Sequence, residues 1–238
     1  ATGHGMQTFD LARLRGVTTP QTFTETGRYT GFGRAHNVLV SEASNTAIGT
    51  GMSADGTTRQ AGCGQGLEFV DVSNPASPVF AGCYNGPVVN GSRGYTHDAQ
   101  CVAYHGPDTR YTGREICLMA DEKVIHIVDV TQKSSVQLLG SVTYPNVSYA
   151  HQGWLSEDHR YFFFDDETDE TNGFTGGHTK TLIFDVQSLT TPVLAGSFTG
   201  RTGAIDHNQY VRGTRLFQAN YTPGLAILDV SNPTALAE

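Results

Sequence analysis

Residues 97–145 read HDAQCVAYHGPDTRYTGREICLMADEKVIHIVDVTQKSSVQLLGSVTYP and contain four short runs typical of β-strands. β-Branched and aromatic residues dominate the runs, and Gly, Pro, Asp and Ser separate them. In order they are strand A (HDAQCVAY), strand B (REICLMAD), strand C (KVIHIVDV) and strand D (VQLLGSVTY). Four short strands in a unit of about 40–60 residues are typical of a β-propeller blade.

Two motifs show that this unit repeats along the chain. A histidine followed by Asp, Asn or Gln opens strand A, at intervals of 61, 54 and 56 residues: His36, His97, His151 and His207. An aspartate ends strand C, before a turn rich in Ser, Asn, Thr and Pro: Asp10, Asp71, Asp129, Asp185 and Asp229. An aspartate in that position accepts hydrogen bonds from turn N–H groups, so we predict a structural role for it.

The shared period of the two motifs predicts an all-β fold, a β-propeller of four-stranded antiparallel blades. The whole chain, 1–238, would be one propeller domain: a partial blade at 1–30, blades at 31–92, 93–146 and 147–202, and a partial blade at 203–238. A four-bladed ring closed by strand D from the amino end would leave one strand over. We therefore favour an internal piece of a larger ring, because a blade cannot bury both of its faces alone.

The composition limits the partners. The 238 residues carry a net charge of −8, which argues against a nucleic-acid backbone as partner because that needs a basic face. No apolar run is long enough to span a membrane in this segment. The acidity suits a cationic partner or a metal ion, although it is also an ordinary means of keeping a protein soluble.

The four cysteines predict two disulfide bonds and an oxidising compartment. The absence of a CxxC pair argues against a zinc ribbon or a thioredoxin-like motif. Cys101 on strand A and Cys117 on strand B would lie on neighbouring strands. Cys63 lies just before strand C and Cys83 lies on strand D, and these two strands are also neighbours. We expect these two pairings, each within one blade.

The repeated histidines are the first candidate site. Strand A is innermost in a propeller, so the four imidazoles should ring the mouth of the central channel. They could bind a transition metal, with neighbouring polar side chains around it: Asn37, Asp98, Gln152 and Asn208. Alternatively, each histidine hydrogen-bonds its blade to the next. We favour this scaffold interpretation, because a residue repeated once per blade is expected of scaffolding.

The acidic stretch DDETDE at 165–170 is the second candidate site. It begins the longest loop between strands B and C, on the same face as the histidines. Asp165, Asp166 and Asp169 are candidate ligands for Ca²⁺, a hard cation that takes six to eight oxygens. A solvated acidic loop is the alternative. No GxSxG, P-loop or HExxH motif occurs, so we assign no catalytic residue.

Several long segments resemble the LVIVD-repeat proteins, particularly the choice-of-anchor B family of bacterial extracellular proteins. They include HGMQTFDLARLRGVT (4–18), GLEFVDVSNPASPVFAGC (66–83), residues 95–117 and residues 144–170. The resemblance implies a secreted or cell-surface bacterial propeller joined to an anchoring module, with a protein or glycan of unknown identity as partner. Because family members carry further blade sequence on both sides of such a stretch, it also implies that the chain is part of a six- or seven-bladed ring. It implies no established catalytic activity.

The sequence therefore predicts an extracellular, surface-associated propeller that acts as a binding or structural module. The alternative is a metalloenzyme that uses a histidine-lined channel for redox or hydrolytic chemistry. Ca²⁺ is the favoured cofactor, ahead of a transition metal.

Overall fold

The structure, a computed structural model, describes residues 3–52, 62–87 and 94–238. Over these ranges the chain forms 17 β-strands and two short 3-10 helices, Leu11–Leu14 and Thr109–Tyr111. The predicted all-β fold is confirmed. Within the same ranges, neither helix has the length and apolar character needed to cross a bilayer.

The strands form five antiparallel sheets in chain order. A hairpin of β1 (Met6–Thr8) and β2 (Gly27–Tyr29) comes first. Blade I contains β3 (Asn37–Ser41), β4 (Thr46–Thr50), β5 (Leu67–Asp71) and β6 (Val79–Tyr84). Blade II contains β7 (Asp98–Ala103), β8 (Glu115–Ala120), β9 (Ile125–Asp129) and β10 (Gln137–Val142).

Blade III contains β11 (Ala150–Leu155), β12 (Tyr161–Asp166), β13 (Lys180–Asp185) and β14 (Val193–Thr199). Blade IV is a three-stranded sheet of β15 (Gln209–Arg212), β16 (Arg215–Ala219) and β17 (Leu225–Asp229). The chain is thus a β-propeller of sequential antiparallel blades. The blade boundary predicted between residues 92 and 93 lies outside the described residues.

The first strands of the four blades lie next to one another. Residues of β3, β7, β11 and β15 line a cavity of about 420 Å³, with Asp98, Gln152 and Tyr210 among them. The third strand of each blade ends at a repeated aspartate, whereas Asp10 comes two residues after β1 and caps the first 3-10 helix. Each of the five aspartates accepts a hydrogen bond from the backbone N–H two residues further on. The acceptor is Oδ1 in all five cases, at 2.8–2.9 Å: Asp10, Asp71, Asp129, Asp185 and Asp229.

The core lies between blades rather than within them. Successive side chains of a strand point to opposite faces, and β12 shows the consequence. Phe162 and Phe164 pack in the apolar cluster that blade III shares with blade II, whereas Phe163 packs in the cluster shared with blade IV. All three phenylalanines are buried. Each blade is therefore held by apolar contact with its neighbours.

Both predicted disulfide bonds are confirmed. Cys63 pairs with Cys83, with Cα atoms 5.8 Å apart, and Cys101 pairs with Cys117, with Cα atoms 4.0 Å apart. Cys101 and Cys117 lie directly opposite each other on β7 and β8. Each bond therefore fixes two neighbouring parts of one blade.

Replacing Cys101 and Cys117 together by Ala should lower the free energy of unfolding by about 3 kcal/mol, since the bond closes a loop of 16 residues. The Cys63→Ala/Cys83→Ala variant, which opens a loop of 20 residues, should lose a similar amount. Urea denaturation monitored by circular dichroism measures both losses. Unchanged midpoints in both double variants would contradict this expectation.

Candidate metal centre

The four repeated histidines form a continuous row across the four blades. The ring centroids of successive members are 4.1, 4.5 and 4.6 Å apart, in the order His36, His97, His151 and His207. Backbone hydrogen bonds before strand A hold two members of the row, His36 and His97. For example, the N–H of His97 donates to the carbonyl of Ala120 on β8 at 2.9 Å. Gly51 has a φ of +59°, and a Cβ at this position would clash with the Cβ of His36.

The buried imidazole of His151 is held in one orientation by Asp165. Its Nδ1 lies 2.9 Å from Oδ2 of Asp165, and Oδ1 of Asp165 accepts a hydrogen bond from the N–H of Gln152, also at 2.9 Å. Burial raises the pKa of Asp165 and lowers that of His151. The contact between Nδ1 and Oδ2 occupies one nitrogen of the ring and leaves Nε2 as the nitrogen that could face a cation.

Glu167 lies between His151 and His207. Its Oε2 is 3.8 Å from Nε2 of His151, and its Oε1 is 3.6 Å from Nε2 of His207. The three ligand atoms all lie within 4.8 Å of one another. Tyr221 donates its hydroxyl hydrogen to Oε1 of Glu167 at 2.5 Å. Two imidazole nitrogens and one carboxylate are donors that transition metals accept, so these residues form a candidate metal centre, the His151–Glu167–His207 cluster.

The other two histidines have different surroundings. Nδ1 of His97 lies 3.2 Å from the carbonyl oxygen of His151, which connects blade II to blade III. Burial, followed by the neighbouring His151 and His36, lowers the pKa of His97 to about 4. His36 stacks on the ring of His97. Of the four repeated histidines, two therefore lie beside a shared carboxylate, His151 and His207 beside Glu167. His97 instead contacts the backbone of the next blade, as expected of a scaffold residue.

The polar residues that follow the histidines mainly connect blades. Asn37 donates from Nδ2 to both carboxylate oxygens of Asp98, at 3.1 and 3.2 Å, which joins blade I to blade II. Gln152 and Gln209 join blade III to blade IV through two bonds. Nε2 of Gln152 donates to the backbone carbonyl of Gln209. The backbone N–H of Gln209 donates in return to Oε1 of Gln152. The backbone carbonyl of Asn208 accepts a hydrogen bond from the N–H of Ala219 within blade IV.

The three candidate calcium ligands have separate surroundings. Asp165 holds His151, as described above. Asp166 accepts hydrogen bonds from the hydroxyl of Tyr144 at 2.9 Å and from the N–H groups of Ser148 and Tyr149, both at 2.6 Å. The carboxyl of Asp169 contacts that of Glu170, and its Oδ1 is buried without a hydrogen-bond donor. The Ca²⁺ site expected at all three aspartates stays a prediction, and Asp169 is the member best suited to a ligand role.

Asp169 belongs instead to a second acidic group with Glu170 and Asp206. The backbone N–H of Asp206 donates to Oε1 of Glu170 at 3.2 Å. Burial, then the neighbouring charges of Glu170 and Asp166, raises the pKa of Asp169 to about 8. Burial also raises the pKa of Glu170 and that of Asp206.

Comparison with known proteins agrees with the repeat. The family model described as the LVIVD repeat matches residues 61–86 and 216–238, which contain Asp71 and Asp229 with their preceding strands. The chain carries LVIVD repeats. No curated protein sequence matches it.

Solved structures similar to this LVIVD-repeat chain show the fold alone. A protein from Lactobacillus plantarum is 13% identical, with a TM-score of 0.56 over 84% of this chain and 55% of its own. A putative 6-phosphogluconolactonase from Bacteroides uniformis is 14% identical, with a TM-score of 0.57 over 84% and 52%. A periplasmic gluconolactonase from Pseudomonas aeruginosa is 11% identical, with a TM-score of 0.54 over 84% and 54%. The chain spans about half the length of these structures.

Sequence reasoning missed Glu167, Tyr221, Glu170 and Asp206. Glu167 and Glu170 lie inside the acidic stretch at 165–170, and Asp206 directly precedes the repeated His207. The sequence feature that points to these two glutamates is the position of the acidic loop on the same face of the propeller as the histidines. Tyr221 has no comparable signal, because it lies in a turn of blade IV and reaches Glu167 from another blade.

Replacing Gln152 by Ala should destabilise the chain, because it leaves the buried N–H and carbonyl of Gln209 without partners. Each unpaired group costs about 1–3 kcal/mol. Gln137→Ala is the matched control, since that exposed side chain bonds only to Ser135 of its own turn, and it should change stability by no more than about 0.5 kcal/mol. Equal losses in the two variants, measured by chemical denaturation, would refute the bridging role of Gln152.

Proposed function

We propose that this chain is part of a secreted, surface-associated propeller whose histidine face binds a divalent transition-metal ion through His151, Glu167 and His207. The observation that carries the proposal is the position of one carboxylate between two imidazole Nε2 atoms, at 3.6 and 3.8 Å. These separations leave room for an ion between the groups after small side-chain movements, because zinc binds imidazole nitrogen and carboxylate oxygen at about 2.0–2.2 Å.

The surroundings of the cluster suit this role. Asp165 fixes the ring of His151 through Nδ1, which is the usual way in which a second carboxylate directs the other imidazole nitrogen at a metal. Burial lowers the pKa of His151 and that of His207, so both rings are neutral at physiological pH and offer a lone pair. Mixed imidazole and carboxylate donors favour zinc, copper, iron or nickel over calcium or magnesium.

Two observations support the extracellular part of the proposal. The two disulfide bonds are typical of proteins in oxidising compartments, and the LVIVD repeats agree with the resemblance to the choice-of-anchor B proteins. We infer a bacterial surface location and a protein or glycan partner from that resemblance. The six- or seven-bladed ring stays a prediction, and the chain's coverage of about half of similar propellers supports it.

A catalytic role is the second candidate, because the cluster opens to solvent. The side chains of Glu167 and His207 are 22% and 30% exposed, whereas that of His151 is 1% exposed. Three protein ligands with an open side are typical of catalytic zinc, which activates a bound water for hydrolysis. Hydrolysis of simple esters or lactones by the zinc-loaded protein, lost in His207→Ala, would favour this second role over binding alone.

Isothermal titration of metal-free protein with zinc should show one site per chain. His207→Ala and Glu167→Gln should each weaken zinc binding by about tenfold or more, and Asp165→Asn by about 10–100-fold, since Asp165 orients His151. His178→Ala is the matched control, because His178 is an exposed histidine in the same loop as Glu167. This variant should bind zinc with the affinity of the unmodified chain. Equal affinities across all four variants would disprove the proposed ligands.

A further inference from the structure

Tyr221 lies in the turn between β16 and β17 and reaches from blade IV to the long loop of blade III. Its hydroxyl donates to Oε1 of Glu167 at 2.5 Å, and its ring packs against that of His207, with the centroids 4.9 Å apart. One side chain of this turn therefore contacts two of the three residues of the His151–Glu167–His207 cluster. Tyr221 is nevertheless 56% exposed, so packing in an apolar core does not account for its position.

The backbone of Tyr221 has a conformation that bulky residues rarely adopt. Its φ is +44°, in the left-handed region where a side chain other than that of glycine is strained. The turn holds this conformation on both sides. The N–H of Asn220 donates to the carbonyl of Gly224 at 2.7 Å, and the N–H of Gly224 donates to the carbonyl of Tyr221 at 3.1 Å. Strained residues concentrate at binding and catalytic sites, which is a second indication that the position of Tyr221 serves the cluster.

The hydroxyl of Tyr221 restrains the carboxylate of Glu167. Within residues 3–52, 62–87 and 94–238, it is the one hydrogen-bond donor to that carboxylate. Oε1 is thereby engaged, whereas Oε2 faces Nε2 of His151 at 3.8 Å. A hydrogen bond on one oxygen of a ligating carboxylate fixes the direction in which the other oxygen meets the ion.

We propose that Tyr221 positions Glu167 as a ligand with one oxygen, a role that rests on the metal site proposed above, and that it thereby favours zinc over larger cations. Zinc in a site with an open position takes three protein ligands and one further ligand, so a single carboxylate oxygen suffices beside the two imidazoles. Hard cations take more oxygens, often both atoms of one carboxylate. With Oε1 held by Tyr221, the cluster suits zinc better than manganese, which prefers six oxygens.

Replacing Tyr221 by Phe removes the hydroxyl and keeps the ring against His207. The variant should bind zinc at least about tenfold more weakly, since loss of a hydrogen bond to a metal ligand costs about 10–100-fold in affinity. Its affinity for manganese should fall by no more than about threefold, because the freed Oε1 offers a second oxygen. Isothermal titration with each metal measures the ratio of the two affinities, and this preference for zinc should decrease.

Tyr210→Phe is the matched control, because Tyr210 is another half-exposed tyrosine of blade IV and lies on β15, away from Glu167. This variant should bind both metals with the affinities of the unmodified chain. Cobalt(II) gives a second measurement, since its visible absorption depends on the number and arrangement of its ligands. Tyr221→Phe should change the cobalt spectrum, and Tyr210→Phe should not. Equal losses of zinc and manganese affinity in Tyr221→Phe, with an unchanged cobalt spectrum, would overturn the proposal.

Tyr221→Asn separates the metal site from the fold. Asn enters the left-handed region more readily than Tyr, and it replaces the phenol by a shorter side chain. The metal-free variant should therefore unfold at the temperature of the unmodified chain or above it, while its zinc affinity falls at least about tenfold. Circular dichroism measures the midpoints. A midpoint lower by more than about 5 °C would make Tyr221 a structural residue and overturn the proposal.

The metal site and the role of Tyr221 can fail separately. No zinc binding by the unmodified chain, or binding that His207→Ala leaves unchanged, would overturn both. Zinc binding that is lost in His207→Ala and unchanged in Tyr221→Phe would overturn the role of Tyr221 alone.

Discussion

An isolated blade of this propeller has two apolar faces, and each face is covered by a neighbouring blade. The alternation along β12 makes this plain, since Phe163 packs towards blade IV while Phe162 and Phe164 pack towards blade II. Burial of apolar surface is the main stabilising term in folding. The cores therefore form between sheets, and equivalent residues of successive blades are brought side by side.

This arrangement explains how a scaffold repeat becomes a candidate site. Because each histidine comes just before or at the start of strand A, blade stacking places the four rings in one row. His97 uses its position to contact the next blade, whereas His151 and His207 face Glu167. The scaffold interpretation therefore fits His97, whereas the metal interpretation is proposed for His151 and His207.

The sequence predicted the strands, the turns and the disulfide pairs, because their chemistry is local and repeats with the blade. The convergence of Glu167 on two histidines could not be predicted in the same way. It depends on the path of the long loop between β12 and β13, and on the contact of Asp165 with His151. The stretch DDETDE was recognised as acidic, but spacing alone could not show that Glu167 and Asp169 belong to different groups.

Anomalous diffraction from crystals of the zinc-loaded chain, with data collected on both sides of the zinc absorption edge, would locate the bound ion directly. We expect one strong peak about 2.0–2.2 Å from Nε2 of His151, Nε2 of His207 and an oxygen of Glu167. A fully occupied zinc peak elsewhere, with none between these three side chains, would contradict it.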